Sequence, residues 1–170
     1  MVKRSAGSAS RTGVRAPVGT FRVLVVHGAN LNLLGEREPE IYGRTTLADI
    51  DRGLVALGRE LGIDVETFQS NHEGEIVDRL HQARGQIDSL LINPGSYTHT
   101  SVAIRDAILA IRVPTIEIHM SNVYRREPFR HRSTIADISA GRLMGFGAES
   151  YELALRAARG VVKAARADRH

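Results

Sequence analysis

FRVLVVH, residues 21–27, is the stretch that decides the fold. Val23, Leu24, Val25 and Val26 are apolar without a break. A strand with one wet face would alternate, so both faces of this one must be covered, as in a parallel sheet layered between helices. The chain downstream keeps changing period. Thr45 and Thr46 offer N-caps for a helix over TLADIDRGLVALGREL, in which Leu47, Ile50, Leu54, Leu57 and Leu61 recur at helical spacing. IDVETFQS (63–70) reads as a second strand, and GEIVDRLHQAR (74–84) as a helix with Ile76, Val77 and Leu80 on one stripe. DSLLIN (88–93) is strand three and VAIRDAILAI (102–111) the next helix. PTIEIHMS (114–121) is strand four, 142–146 a short strand five, and 149–166 a final helix.

Strands and helices in strict alternation predict an α/β fold with right-handed crossovers. The economical topology is a flavodoxin-like, doubly wound, five-stranded parallel sheet of order 2-1-3-4-5. At 170 residues and 42% hydrophobic content the chain has room for one such core. The expected organisation is a single catalytic domain over 21–166, after a disordered basic tail over 1–20 whose Gly, Ser, Ala and Arg show no periodicity, with 167–170 as a short C-terminal tail. The formal charge of +4 suggests at first a nucleic-acid or membrane partner. However, residues 1–20 and the stretch from Arg156 onward each carry +4, so residues 21–155 carry −4. The basicity belongs to the ends, which argues against a nucleic-acid surface on the core. No apolar run approaches the roughly 20 residues of a membrane span, and a cytoplasmic protein is expected. Lys3 and Lys163 are the only lysines and cysteine is absent. A Schiff-base lysine in the core, thiol chemistry and zinc-thiolate sites are thereby excluded.

In a doubly wound sheet, ligands bind beyond the carboxyl ends of the strands, where the strand order reverses. This directs attention to the loops at 28–45, 70–73, 93–101 and 119–134. The first is long enough for a lid or binding loop. Asn30 and Asn32 sit at the strand end, able to orient a water or a substrate oxygen; for Asn32 a left-handed turn is the preferred reading. Arg37 and Tyr42 lie further along, and a guanidinium beside a phenol lowers its pKa enough for it to act as a base. In the third loop Asn93 ends strand three and His99 precedes a helix, suiting an oxygen-rich or anionic ligand. One of Thr98, Thr100 and Ser101 caps that helix. Glu117 and His119 are two apart on a strand, hence on one face, so the carboxylate can orient the imidazole for general acid work. Arg125, Arg126, Arg130 and Arg132 follow; one or two of them belong to the solvated surface, and another reaching over the pocket would clamp hydroxyls or a carboxylate. The histidines show no metal-ligand spacing, and no glycine-rich phosphate loop follows strand one.

Four separated blocks, HGANLNLLGEREPEIYG, SNHEGEIVDRLHQA, INPGSYTHTSVAIRDA and IEIHMSNVYRREPFRH, in this order, resemble the type II 3-dehydroquinase family from about Phe21 to Ala158. The resemblance implies cofactor-free dehydration of 3-dehydroquinate to 3-dehydroshikimate, in the shikimate pathway or in quinate breakdown. It implies Tyr42 as the base that takes the C2 proton, with Arg37 lowering the phenol's pKa and steadying the enolate. His119, oriented by Glu117, would protonate the departing C1 hydroxyl, and Asn30 would position a water at the enolate oxygen. Asn93, His99 and Arg130 would hold the ring hydroxyls, and Met120 and Ser121 the carboxylate. Asp106 would act near a subunit boundary, Arg126 would anchor the lid, and the assembly would be a homododecamer of four trimers. Ala29, Arg132, Thr134 and Ser150 depart from the family pattern. A rival reading is a catalytically silent oligomeric binder of cyclic hydroxy acids.

Overall fold

The structure, a computed structural model, describes residues 21–35 and 44–167. The expected N-terminal tail, residues 36–43 with Arg37 and Tyr42, and residues 168–170 lie outside the described residues. Five parallel strands, β1 (Phe21–His27), β2 (Ile63–Gln69), β3 (Ser89–Asn93), β4 (Thr115–His119) and β5 (Gly141–Met144), form one sheet of order β2-β1-β3-β4-β5. Among the described residues four helices connect and cover them: α1 (Leu47–Leu61), α2 (Glu73–Ala83), α3 (Val102–Ile111) and α4 (Glu149–Ala167). β4 stops two residues short of the expected 121, and β5 runs over 141–144 rather than 142–146. The chain leaves the sheet at His119 because Met120 and Ser121 begin the turn that carries the arginine loop.

The sheet sorts its side chains by parity. Val23, Val25, Leu91, Ile116 and Ile118 pack against α1 and α4, through Ile50, Leu54, Tyr151 and Leu155. Leu24, Val26, Leu90 and Ile92 pack on the opposite face against α2 and α3, through Ile76, Leu80, Ile104 and Ile108. Two-sided cover is what the unbroken apolar run of β1 requires, and Val23 to Val26 are at most 1% exposed. Each such side chain contributes about 1.5–3 kcal/mol by leaving water. Local signals set the helix starts. Thr46 and Asp49 form a reciprocal capping box at α1. Of the three candidates for α3, Ser101 is the cap, its Oγ accepting from the Ile104 N–H at 2.9 Å.

The ends of β1 and β3 approach very closely. The Gly28 N–H donates to the Asn93 carbonyl at 2.8 Å, and a Cβ at Gly28 would sit 2.1 Å from the Pro94 oxygen. Gly95, at φ +62°, leaves no room either: its Cβ would meet the Ala29 oxygen at 2.6 Å. Backbone blocks both positions, so no rotamer change relieves a side chain there. Gly28→Ala is accordingly expected to cost about 1–3 kcal/mol, measured by urea unfolding followed by circular dichroism; an unshifted unfolding midpoint would show that these strand ends spread at no cost.

Candidate active site

Beyond the carboxyl ends of β1, β3 and β4 lies a cavity of about 240 Å³. Asn30, Asn93, His99, His119, Met120, Ser121, Arg126 and Arg130, drawn from three of the loops singled out in the sequence, line it together with Ala29, Leu31, Leu34, Gly95 and Ser96. Of the remaining expected site residues, Glu117 stands directly behind His119. Asp106 is exposed on α3 and does not line the cavity.

Alternation along β4 puts Glu117 and His119 on the same face, and the Glu117 Oε1 accepts from His119 Nε2 at 2.7 Å. The ring proton on that nitrogen is therefore fixed, leaving Nδ1 to serve a ligand. Glu117 is fully buried. Ser133 Oγ donates to its Oε2 at 3.1 Å and Arg142 Nη2 to its Oε1 at 3.2 Å. Arg142 Nε lies 2.8 Å from Oε2 without its N–H aligned on that oxygen, so this contact is chiefly Coulombic. Burial pushes the Glu117 carboxyl up, but the hydrogen bond and charge of His119, the charge of Arg142 and the Ser133 hydroxyl outweigh it and hold the group below its ordinary 4.5. Sequence reasoning missed Arg142 and Ser133. Arg142 faces Glu117 across the β4–β5 pairing, a neighbourhood that no linear spacing reveals.

His99 sits in the 3₁₀ turn Gly95–His99, and its Nδ1 lies 2.7 Å from the Arg132 carbonyl. A carbonyl only accepts, so Nδ1 carries the proton and a neutral His99 offers Nε2 as an acceptor. The contact uses the Arg132 backbone and so does not depend on the side chain at that position. Thr134 ties down the same turn: its Oγ1 lies 3.1 Å from the carbonyls of both Thr98 and Ser101. Among the described non-glycine residues of the first loop the left-handed one is Asn30, at φ 68°, and not Asn32, for which that turn was the preferred reading. Its N–H donates to the Asn71 Oδ1 at 2.9 Å, and Asn71 is a further support that the sequence did not flag.

The four arginines divide as expected. Arg125 and Arg132 are exposed, whereas Arg126 and Arg130 line the cavity. Glu127 steadies this pair, its Oε2 2.8 Å from Arg130 Nε and 3.7 Å from Arg126 Nε. Among the described residues no group of His, Asp and Glu is arranged to hold a metal ion, and no helix is long and apolar enough to cross a membrane.

A carboxylate-held imidazole facing guanidinium donors, at the switch point of a doubly wound sheet, defines an acid–base site for an oxygen-rich anion. The profile of the family described as Dehydroquinase class II matches residues 21–159. A 3-dehydroquinate dehydratase of Gloeobacter violaceus is 55% identical over 138 residues, covering 81% of this chain and 86% of that protein. The catabolic 3-dehydroquinase of Emericella nidulans is 55% identical over 133 residues, covering 78% and 87% respectively. The crystal structure of the type II dehydroquinase from Propionibacterium acnes superposes with a TM-score of 0.77 at 43% identity, covering 79% of this chain and 93% of that one. The chain belongs to the class II dehydroquinase family and is an enzyme of the hydro-lyase class.

Glu117 also makes a prediction about acid stability. With its folded value below 4.5, the carboxylate stabilises the fold above that pH, and the contribution is lost as the pH falls through the lower folded value. Wild type should therefore lose stability on acidification from about pH 4.5 downward, and Glu117→Gln should flatten that part of a plot of unfolding midpoint against pH. Wild-type acid dependence in the variant would mean that other groups carry it.

Proposed function

We propose that this enzyme dehydrates 3-dehydroquinate to 3-dehydroshikimate without a cofactor, through an enolate, within a catalytic domain over 21–166 flanked by the two tails. The observation that carries the acid half of this reading is the Glu117–His119 pair at the cavity. A β-hydroxyketone loses water readily once the proton next to its carbonyl has left, so the site needs a base, an acid at the leaving group and positive charge at the new oxyanion. Tyr42, as phenolate, takes the C2 proton, with Arg37 lowering its pKa and steadying the enolate. The stretch that carries both residues starts beside the cavity, since Leu34 lines it, and its two flanks meet: a Cβ at Gly35 would lie 2.9 Å from the Arg44 carbonyl. Asn30 holds the water at the enolate oxygen. The enolate then expels the C1 hydroxyl, which His119 protonates from Nδ1 while Glu117 retains the proton on Nε2, and water departs.

Asn93, His99 and Arg130 hold the ring hydroxyls, Met120 and Ser121 receive the carboxylate, and Arg126 anchors the lid. Anion recognition rests on arginine forks and backbone donors, consistent with a core that has no lysine. The rival reading of a silent binder is disfavoured by the buried carboxylate behind His119, because binding alone needs no imidazole with one proton fixed. Turnover is read from the ultraviolet absorbance of the conjugated product. Tyr42→Phe is expected to lower kcat by about 10²-fold or more while substrate still binds. Unchanged turnover in that variant would require another base, and a folded wild type with no turnover would favour the silent binder.

We further propose a cytoplasmic homododecamer of four trimers. Val102 and Leu109 stand 61% and 50% exposed on α3, on the same helical face as Asp106, which this chain's own cavity does not use. That face suits burial against a second copy, with Asp106 delivered near the neighbour's site. Sedimentation should give the mass of twelve chains for wild type and smaller species for Leu109→Glu; a monomeric wild type would remove both the assembly and the role of Asp106.

A further inference from the structure

The proposed mechanism leaves unused a chain of buried polar groups running through the core from the surface of α1 to the cavity. His27, the last residue of β1, is 0% exposed, as is Tyr151 of α4. His27 Nε2 lies 2.9 Å from Asp51 Oδ1 on α1, and its Nδ1 lies 3.1 Å from the Tyr151 hydroxyl. That hydroxyl lies 2.9 Å from the side-chain amide of Asn93, a residue that lines the cavity. Parity explains the meeting: His27 and Asn93 are register partners at the ends of β1 and β3, on the face covered by α1 and α4.

The proton positions along this chain follow from its two ends. The Gly95 backbone N–H can only donate, and it points at the Asn93 amide at 3.2 Å, so Oδ1 occupies that side and Nδ2 faces Tyr151. The Tyr151 oxygen then accepts from Nδ2, and its single proton is left for His27 Nδ1, which must be bare. The ring proton therefore sits on Nε2, facing the Asp51 carboxylate, which accepts. Asp51 alone demands the same tautomer, so the two ends agree. With a proton on Nδ1 instead, two donors would face the Tyr151 oxygen and its O–H would be orphaned in a dry site, a costly arrangement. Tyr151 is suited to stay a neutral donor, because burial raises its pKa well above the ordinary 10.0.

We infer that Asp51, His27 and Tyr151 are positioning residues that lock the Asn93 amide in one of its two orientations, and so fix which end of it meets a hydroxyl of the substrate. The assignment of that hydroxyl rests on the function proposed above; the locked amide does not. Breaking the chain frees the Tyr151 proton to turn toward Asn93, where it opposes Nδ2 and leaves the Gly95 N–H as the one remaining restraint, so the rotated amide becomes populated beside the native one. Such a rotation weakens ground-state and transition-state binding alike, so it raises KM and spares kcat.

Neutron diffraction from deuterated crystals of the wild type tests the lock without any turnover. The expected result is a deuteron on His27 Nε2 and none on Nδ1, with the Tyr151 deuteron directed at Nδ1; a deuteron on Nδ1 overturns the inference. Kinetics test the consequence. His27→Leu and Asp51→Ala should each raise KM, the former by about tenfold, for the loss of one oriented hydrogen bond. In both variants kcat should stay within about twofold of wild type. His27→Asn, whose amide oxygen can stand where Nδ1 was, should recover most of the loss. Asp51 is part-exposed, so Asp51→Ala keeps the test decisive if His27→Leu does not fold. An unchanged KM in Asp51→Ala, or a fall in kcat with KM constant, overturns the positioning role. Absence of turnover in wild type would instead sink the substrate assignment and leave the diffraction result to judge the lock.

Discussion

The bond from the Gly28 N–H to the Asn93 carbonyl, 2.8 Å long, sets where the sheet stops and the cavity begins. β1 and β3 run side by side in register, His27 opposite Asn93, and the crossovers leave them in opposite directions along the sheet, which opens a crevice between the loops. The strands can end so close together only because Gly28 and Gly95 present no side chain to the backbone across from them. A methyl at either position would push the two loops apart, and with them Asn30 on one side and the turn holding His99 on the other. Catalytic geometry tolerates errors of about 0.5 Å, so the site depends on this backbone contact before it depends on any functional group.

The second constraint is a buried negative charge. Removing a carboxylate from water costs several kcal/mol even after the protein relaxes, and Glu117 is fully buried in the sheet. Its compensation comes from three directions: His119 on its own strand, Arg142 on the neighbouring strand and Ser133 on the returning loop. Replacing this cluster with apolar side chains would suit stability at least as well. What the carboxylate supplies is an imidazole whose orientation is set and whose second nitrogen is committed to the cavity. The cavity thus joins two buried polar systems on opposite faces of the sheet, one ending at His119 and the other at Asn93.

The fold was legible because its signals are local. Four consecutive apolar residues in β1, the capping Thr46 and Ser101, and the 3.6-residue stripes of the helices each stand in a short window of sequence. The Glu117–His119 pair was legible for the same reason, since period two is a local rule. Arg142, Ser133, Asn71 and the relay through Asp51, His27 and Tyr151 were not, because each acts on a residue far away in sequence and joins it only once the strands have paired. His27 in particular reads as the polar end of an apolar run; nothing near it in the sequence announces a tyrosine 124 positions later. The left-handed turn falls on Asn30 rather than Asn32, although both asparagines are equally able to adopt that conformation, and the choice rests on the Asn30 N–H donating to the Asn71 side chain.

The arginines show why the absence of lysine from the core is more than a compositional accident. Glu127 engages Arg130 through Nε and is itself half exposed, so solvent screens the pair and the attraction is weak. An attraction of that size selects a rotamer without neutralising the site against an incoming anion. A guanidinium held by its Nε still has donors on both terminal nitrogens, arranged in a rigid plane that matches two oxygens at once. An ammonium held by the same carboxylate would have its single charged centre at the contact itself and no fixed direction for the protons left over. Tethering one end of a cation and presenting the other is possible for arginine, and the exposed Glu127 can do this without burying a second carboxylate beside Glu117.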